Sequence, residues 1–417
     1  GSLFSHMLGF VNGEPRAYYG VEENYDDYLR AVDPPFFRSN LGVQVAYSRL
    51  PEAWQSVLPS STGQDIVLTV DRRVQSLVSK VLAEAIGTYQ AQSGTIIVME
   101  PSTGAILAMV SLPSYDPNRY GVTNDTVLAD PAVSRQYEPG SVFKIVTMSA
   151  GIDAGLITAD TVLTDSLKME VGGQTIQNSD KRSHGQVDIR ETLVRSLNIP
   201  TAQVALQLQE SLFYQYVKRF GFGQKTEVDL ANESPGTVKV PGDLLWSKSD
   251  LATNAFGQGL AVTPLQMATA TAVIANGGML VRPHVVDARV FRGRVLKPDT
   301  DPVRRVLKPE TASQMTDLMI SVVEQGAPGA YVRGYTVAGK TGTAQIAVEG
   351  GYSPTDTIHS FVGFAPAWSP KFVILVKLDK PKANSWAVNT AAPTFGKLAR
   401  ELLRTMHVPP EQIANQP

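Results

Sequence analysis

Ser141 stands directly after Pro139-Gly140, and Lys144 follows it by three residues. If Ser141 opens a helix, Lys144 lies one turn along the same face, within reach of the hydroxyl. An amine so placed can activate a serine without a histidine, provided that the amine is uncharged. A helix-initiating serine followed by a solvated lysine would look the same. Ser-x-x-Lys also arises about once by chance in a chain this long. The neighbours weigh against the solvated lysine. Val142, Phe143, Ile145, Val146 and Met148 make the segment apolar nearly all round, the mark of a buried helix. A lysine buried there is costly unless it is paired or loses its proton.

Two further patterns each occur once, as Ser-x-x-Lys does: Ser196-Leu197-Asn198 and Lys340-Thr341-Gly342. Alone, Ser196 reads as a hydroxyl on a helix face, and Lys-Thr-Gly as an edge-strand turn. Their order and their placement, one in a helical stretch and one on a strand, argue for a shared site.

The elements that must position these residues are legible from periodicity. Residues 1–62 form an irregular appendage, with breakers at Asp33-Pro34-Pro35 and at Leu58 to Gly63. Tyr18, Tyr19, Tyr25 and Tyr28 help to fold it as a small satellite module. Ile66 to Val70 reads as a strand, and Asp71 caps a helix with the stripe Val74, Leu77, Val78, Val81, Leu82, Ala85. Thr95 to Met99 and Ala105 to Val110 are apolar on both faces and are joined by Pro101-Ser102-Thr103-Gly104. They read as a hairpin at the centre of a covered sheet. Residues 150–290 are mostly helical by pattern. Strands return at Tyr335 to Ala338, Ser360 to Phe364 and Phe372 to Val376. A last amphipathic helix shows Phe395, Leu398, Leu402 and Met406. Early strands, a helical middle and late strands imply an α+β fold whose sheet is closed by both ends of the chain.

Composition bounds the partners. The 417 residues are 43% hydrophobic and carry a net charge of −2, so no basic field invites nucleic acid. Five scattered histidines and no cysteine argue against structural zinc. The missing cysteine suits an extracytoplasmic setting and a cytosolic one equally. No apolar run is long enough to span a membrane, and no signal peptide opens the chain. An excised soluble fragment is therefore expected.

With its three motifs, the chain resembles the penicillin-binding protein transpeptidases, a superfamily marked by Ser-x-x-Lys and Lys-Thr-Gly. The likeness extends over about residues 63–406. It includes Pro101 to Met109, Trp246-Ser247, Phe256-Gly257-Gln258-Gly259, Thr263 to Gln266, Ala338 to Gln345, Ser360 to Pro366 and Ala391 to Phe395, stretches similar to the monofunctional class B members. Leu8 to Asn12 and Gly20-Val21-Glu22 resemble the end of that class's pedestal domain. Two departures are Asp130-Pro131, where an Asn-Arg pair is frequent, and Leu197, where serine is frequent.

The resemblance implies a fold and a division of the chain. The fold is an antiparallel sheet of about five strands, covered by helices on both faces, with a helical subdomain. The chain divides into a pedestal remnant (1–62), a transpeptidase domain (63–408) and a polar tail (409–417). It also implies acyl transfer from peptides ending in D-Ala-D-Ala, with β-lactams as covalent inhibitors and with no cofactor and no metal. Ser141 is then the nucleophile, and Lys144 the base, its pKa moved from about 10.4 toward roughly 7–8. Lys340 repels the Lys144 charge, Ser196 relays a proton, and Asn198 orients Lys144 and the substrate carbonyl. Thr341 and Thr343 hold a terminal carboxylate on a strand edge, where Gly342 allows close approach. Backbone N–H groups of Ser141 and Thr343 form the oxyanion hole.

The implied partners are peptidoglycan stem peptides, their lipid-linked precursor and a glycosyltransferase of the division or elongation machinery. The implied location is the outer side of a bacterial cell membrane, by way of an anchor. A D,D-carboxypeptidase or serine β-lactamase would use the same residues. A non-catalytic sensor or scaffold would show the fold without the chemistry. Asp130, Asp356, His184 and His359 read as structural or exposed. Glu349 to Pro354 is expected to form a mobile loop beside the site.

Overall fold

Ile96, Ile97, Val98 and Met99 are all fully buried, as a strand covered on both faces requires. They belong to β1 (Ser93–Met99), which turns through Gly104 into β2 (Ile106–Leu112). Late in the chain come β3 (Ala338–Val348), β4 (Gly351–Ala365) and β5 (Phe372–Asp379). Together they make one antiparallel sheet in the order β3-β4-β5-β1-β2, so the ends of the domain meet at its centre. The computed structural model describes residues 3–14, 16–30, 64–291 and 294–411, with backbone alone at 36–38 and 44–46. Nearly half of the expected appendage, with both of its breaker runs, and the end of the polar tail lie outside the described residues.

Side chains alternate across this sheet. Ile96, Val98, Ile374 and Val376 pack with α1 (Arg72–Tyr89) and with the final helix Ala391–Thr405, where Phe395 meets Phe361 at 4.6 Å. Ile97, Met109, Val362 and Leu375 point to the opposite face. There they meet α2 (Lys144–Asp153) and its neighbours α3 (Asn198–Arg219), α4 (Pro264–Ala275) and α5 (Pro309–Ser321). One row of directly opposed residues runs Lys340, Val362, Leu375, Ile97, Met109. That register puts the Lys340 side chain on the α2 face, although β3 is the edge strand.

Several local expectations hold. Asp71 Oδ1 caps α1 by accepting from the N–H groups of Arg73 (2.6 Å) and Val74 (3.2 Å). Every residue of α2 is buried. Others are corrected. Within 150–290 the chain also forms two short ribbons, Leu163–Asp165 with Gly185–Val187 and Met169–Val171 with Gln174–Ile176. Pairs of three-residue strands are too short to show a period against the helices around them. Met406 lies just past the last helix and is exposed. Residues 349–354 are no open loop, because Val348 pairs with Gly351 at the tip of a β-hairpin.

The described part of the N-terminal segment packs on the main unit. Phe10 stacks on Tyr120 at 4.3 Å, and the Tyr25 hydroxyl donates to Asp229 at 3.2 Å. Tyr18 and Tyr19 pack against the same Phe10 cluster, and Arg289 covers the Tyr28 ring.

Candidate active site

The approach of the Ser141 turn to the sheet is a matter of backbone contact. Gly140–Phe143 forms a single 3-10 turn ahead of α2, so the α-helix itself begins at Lys144 rather than at Ser141. Gly140 (φ +57°) donates its N–H to the Gly257 carbonyl at 3.0 Å, and a Cβ on Gly257 would lie 2.2 Å from the Gly140 oxygen. On the other side, a Cβ on Gly342 would stand 3.0 Å from the Pro139 oxygen. These two glycines let the Ser141 turn sit between the edge strand and the turn after residue 254. Gly257→Ala, at φ +80°, is expected to destabilise the fold by about 1–3 kcal/mol and to slow β-lactam acylation. Thermal unfolding and labelling rates check this.

Ser196 owes its position to a broken helix. The expected continuous helical stretch ends at Val194, and Asn198 starts α3. Between them Ser196 adopts a left-handed conformation (φ +60°), which a non-glycine residue keeps only where its surroundings enforce it. The kink aims its carbonyl at Lys144 and its hydroxyl at both lysines.

Lys144 and Lys340 are both completely buried. Lys144 Nζ donates to Ser196 O (2.5 Å) and Asn198 Oδ1 (2.8 Å), and it stands 3.4 Å from Ser196 Oγ. Lys340 Nζ donates to Ser196 Oγ (2.9 Å) and to Thr341 O (3.1 Å). Ser196 Oγ thus bridges the two amines. Burial, reinforced by the Lys340 charge, holds the Lys144 amine well below the usual lysine range, while Asp165 opposes that shift. Burial alone pushes Lys340 down to about 7. A neutral amine has two N–H groups and one lone pair. Ser196 O and Asn198 Oδ1 occupy both N–H groups, which leaves the lone pair free to take a proton.

Ser141, Ser196, Thr341 and Thr343 line one cleft of about 210 Å3, with Trp386 and Val388 on its outer wall. Gly342 is buried beneath it. Among the described residues, no hydrogen bond joins Ser141 Oγ to Lys144 Nζ, whose partners all lie on the Ser196–Asn198 segment. Thr343 Oγ1 accepts from the Ala387 N–H at 3.0 Å and so ties the strand to the Trp386 segment. No group of three or more His, Asp or Glu among the described residues could hold a metal ion.

Other polar residues around the site went unassigned in the sequence. Glu138 accepts from the Gly259 N–H (3.1 Å) and the Tyr352 hydroxyl (3.0 Å), pinning the β3–β4 hairpin tip to the segment that leads into Ser141. Burial raises the Glu138 carboxyl pKa. Asn178 borders the cleft and bonds the start of α3. Leu197 cannot cap that helix, and the missing cap was the available clue. The four residues left unassigned do have structural partners. Asp130 caps Ala132, Asp356 pairs with Lys380 and Lys382, His184 pairs with Asp180, and buried His359 meets Thr390 at 2.8 Å.

Comparison with known proteins bears on the fold and the family. The chain is 33% identical to stage V sporulation protein D of Bacillus subtilis, over 99% of its own length and 64% of that protein's. It therefore spans less than two thirds of that relative. It is 29% identical to the probable peptidoglycan D,D-transpeptidase PenA of Neisseria meningitidis, over 98% of this chain and 68% of that protein. Among solved structures, penicillin binding protein 3 of Mycobacterium tuberculosis complexed with ampicillin superposes with a TM-score of 0.87 at 31% identity. That match covers 100% of this chain and 90% of the other. Residues 94–400, from the central strand β1 to the last helix, match the family model of the penicillin binding protein transpeptidase domain. The serine turn, the kinked Ser-x-Asn segment and the Lys-Thr-Gly edge all fall inside that match, and the chain belongs to this family.

Proposed function

We propose that the protein is a peptidoglycan D,D-transpeptidase of the monofunctional class, working through a Ser141 acyl-enzyme. The observation that carries this reading is the convergence of two buried lysines on Ser196, in the cleft that Ser141 lines. Among the described residues no carboxylate is bonded to either amine, and a scaffold has no need of such burial.

The chemistry follows from the proton inventory. Lys144, neutral, takes the proton from Ser141 Oγ as the oxygen attacks the carbonyl of the penultimate D-Ala. The ammonium that forms is held by Ser196 O and Asn198 Oδ1. Ser196 passes a proton to the departing D-Ala nitrogen and is resupplied by Lys340, its 2.9 Å neighbour. Thr341 and Thr343 receive the terminal carboxylate beside the Lys340 charge. The β3 edge pairs with the donor peptide backbone, as an unpaired strand edge can. N–H groups of Ser141 and Thr343 hold the developing oxyanion, each contributing about 3 kcal/mol. A second stem peptide's amine then enters, runs the steps in reverse and leaves as the cross-link.

Penicillin binding protein 3 of M. tuberculosis has been solved with aztreonam and with ampicillin, and the same cleft here is assigned to β-lactams as covalent inhibitors. Residues 1–62 are assigned to the end of a pedestal domain and 63–408 to the catalytic domain. Among the described residues no helix is long and apolar enough to cross a membrane. Anchoring of the whole protein at the outer side of the cell membrane is part of this proposal, as are the lipid-linked precursor and a glycosyltransferase partner.

The test is product analysis with a pentapeptide donor and an amine acceptor. Cross-linked product released together with D-Ala supports transpeptidation. D-Ala release to water alone would make the protein a carboxypeptidase, and rapid turnover of penicillin would make it a β-lactamase.

A further inference from the structure

The start of α3 is capped from a distance. Asn178 Oδ1 accepts from the N–H groups of Asn198 (2.8 Å) and Ile199 (3.4 Å), supplying the cap that Leu197 lacks. The Asn178 amide can face only that way, because its Nδ2 donates to both carboxylate oxygens of Asp165 at 2.8 Å. Asp165 is itself fully buried and accepts from the His184 N–H at 2.9 Å. At the other end, Asn198 gives its own Nδ2 to the Gln177 carbonyl (2.8 Å), which leaves Oδ1 for Lys144.

We infer that Asp165 and Asn178 are positioning residues for the reaction, a buried carboxylate–amide pair that fixes Asn198 and, through it, the reacting amine of Lys144. The inference rests on the acyl-enzyme reading above. Asp165 touches neither Lys144 nor the cleft, so it acts through Asn178 and through its charge. That charge favours the protonated amine, opposing burial and Lys340. Besides burial, two charged groups therefore act on the basicity of Lys144 in opposite senses: Lys340 from β3 and Asp165 from the Leu163–Asp165 strand. Asp180, Lys181, Arg182 and His184 stand on the adjoining loop, with His184 engaged by Asp180. A carboxylate that served only to staple this loop would affect stability but not the amine.

The experiment is the pH dependence of penicillin acylation, read with thermal unfolding, in the parent protein, Asp165→Asn and Asn178→Ala. Asp165→Asn removes a charge that holds the proton on Lys144. Its acid limb is expected to move to lower pH by about half a unit or more. Its plateau rate should fall about tenfold, because Asn178 loses its forced orientation. Asn178→Ala keeps the charge, so its plateau should fall about tenfold without that downward shift. A folded Asp165→Asn with the parental limb and plateau overturns the inference. If Asp165→Asn does not fold, an unchanged plateau in Asn178→Ala overturns it. A parent protein that takes no label would instead defeat the acyl-enzyme reading, a separate outcome.

Discussion

Ser141→Ala is expected to take up no penicillin at any concentration or incubation time, with an unfolding midpoint within a degree or two of the parent's. Ser141 lies on the cleft at a partly exposed position in a 3-10 turn. Alanine is at ease in helical backbone, and removing one oxygen there opens no core cavity. Activity and stability should therefore separate completely. Gel fluorescence with a labelled penicillin gives the first readout and calorimetry the second. Label on the alanine variant would mean that another hydroxyl is the nucleophile, and Ser196, bridging both amines, would be the candidate.

Lys144→Met has the second largest expected effect. Methionine fills the same space but carries no base, so acylation should slow by about 10²–10⁴-fold, the usual contribution of a general base. Stability should change by less than about 2 kcal/mol. Ser196 O and Asn198 Oδ1 lose donors, which costs, and a desolvated amine disappears, which offsets that cost. The sign of the pH effect is also fixed. A lysine whose folded pKa is depressed binds fewer protons folded than unfolded, so stability rises with pH between the two values. For Lys340 that window runs from about 7 to the unfolded value of 10.5, and Lys144 adds in the same direction. Replacing either lysine by methionine should flatten the slope of unfolding free energy across the window. Urea titrations at several pH values measure it.

The catalytic elements were legible where chemistry and pattern coincide. Val142, Phe143, Ile145, Val146 and Met148 announce a buried helix, so a lysine among them called for explanation. The runs at 95–99 and 372–376 announce central strands, and both are fully covered. Illegible were features set by backbone geometry or by partners distant in the chain. Ser196 reads as helical by composition, and only tertiary packing imposes its left-handed turn. Asn178 caps a helix that starts 20 residues later, so no local capping motif marks it. Asp165 is a lone acid in a three-residue strand, and its importance appears only once Asn178 and Asn198 stand beside it. Tyr352 reads as part of a loop, because it lies in the Gly-rich run Glu349 to Pro354. The glycines make the hairpin turn instead, and Glu138 holds the tip.

The central claim is that the attacking oxygen belongs to Ser141, three residues ahead of the buried amine of Lys144. Trypsin should release Gln136 to Lys144 as one peptide, in which Ser141 is the sole serine. Mass spectrometry of the penicillin-treated native protein is predicted to find the adduct on that peptide, at Ser141. An adduct on any other peptide, or none on this one, would contradict the account.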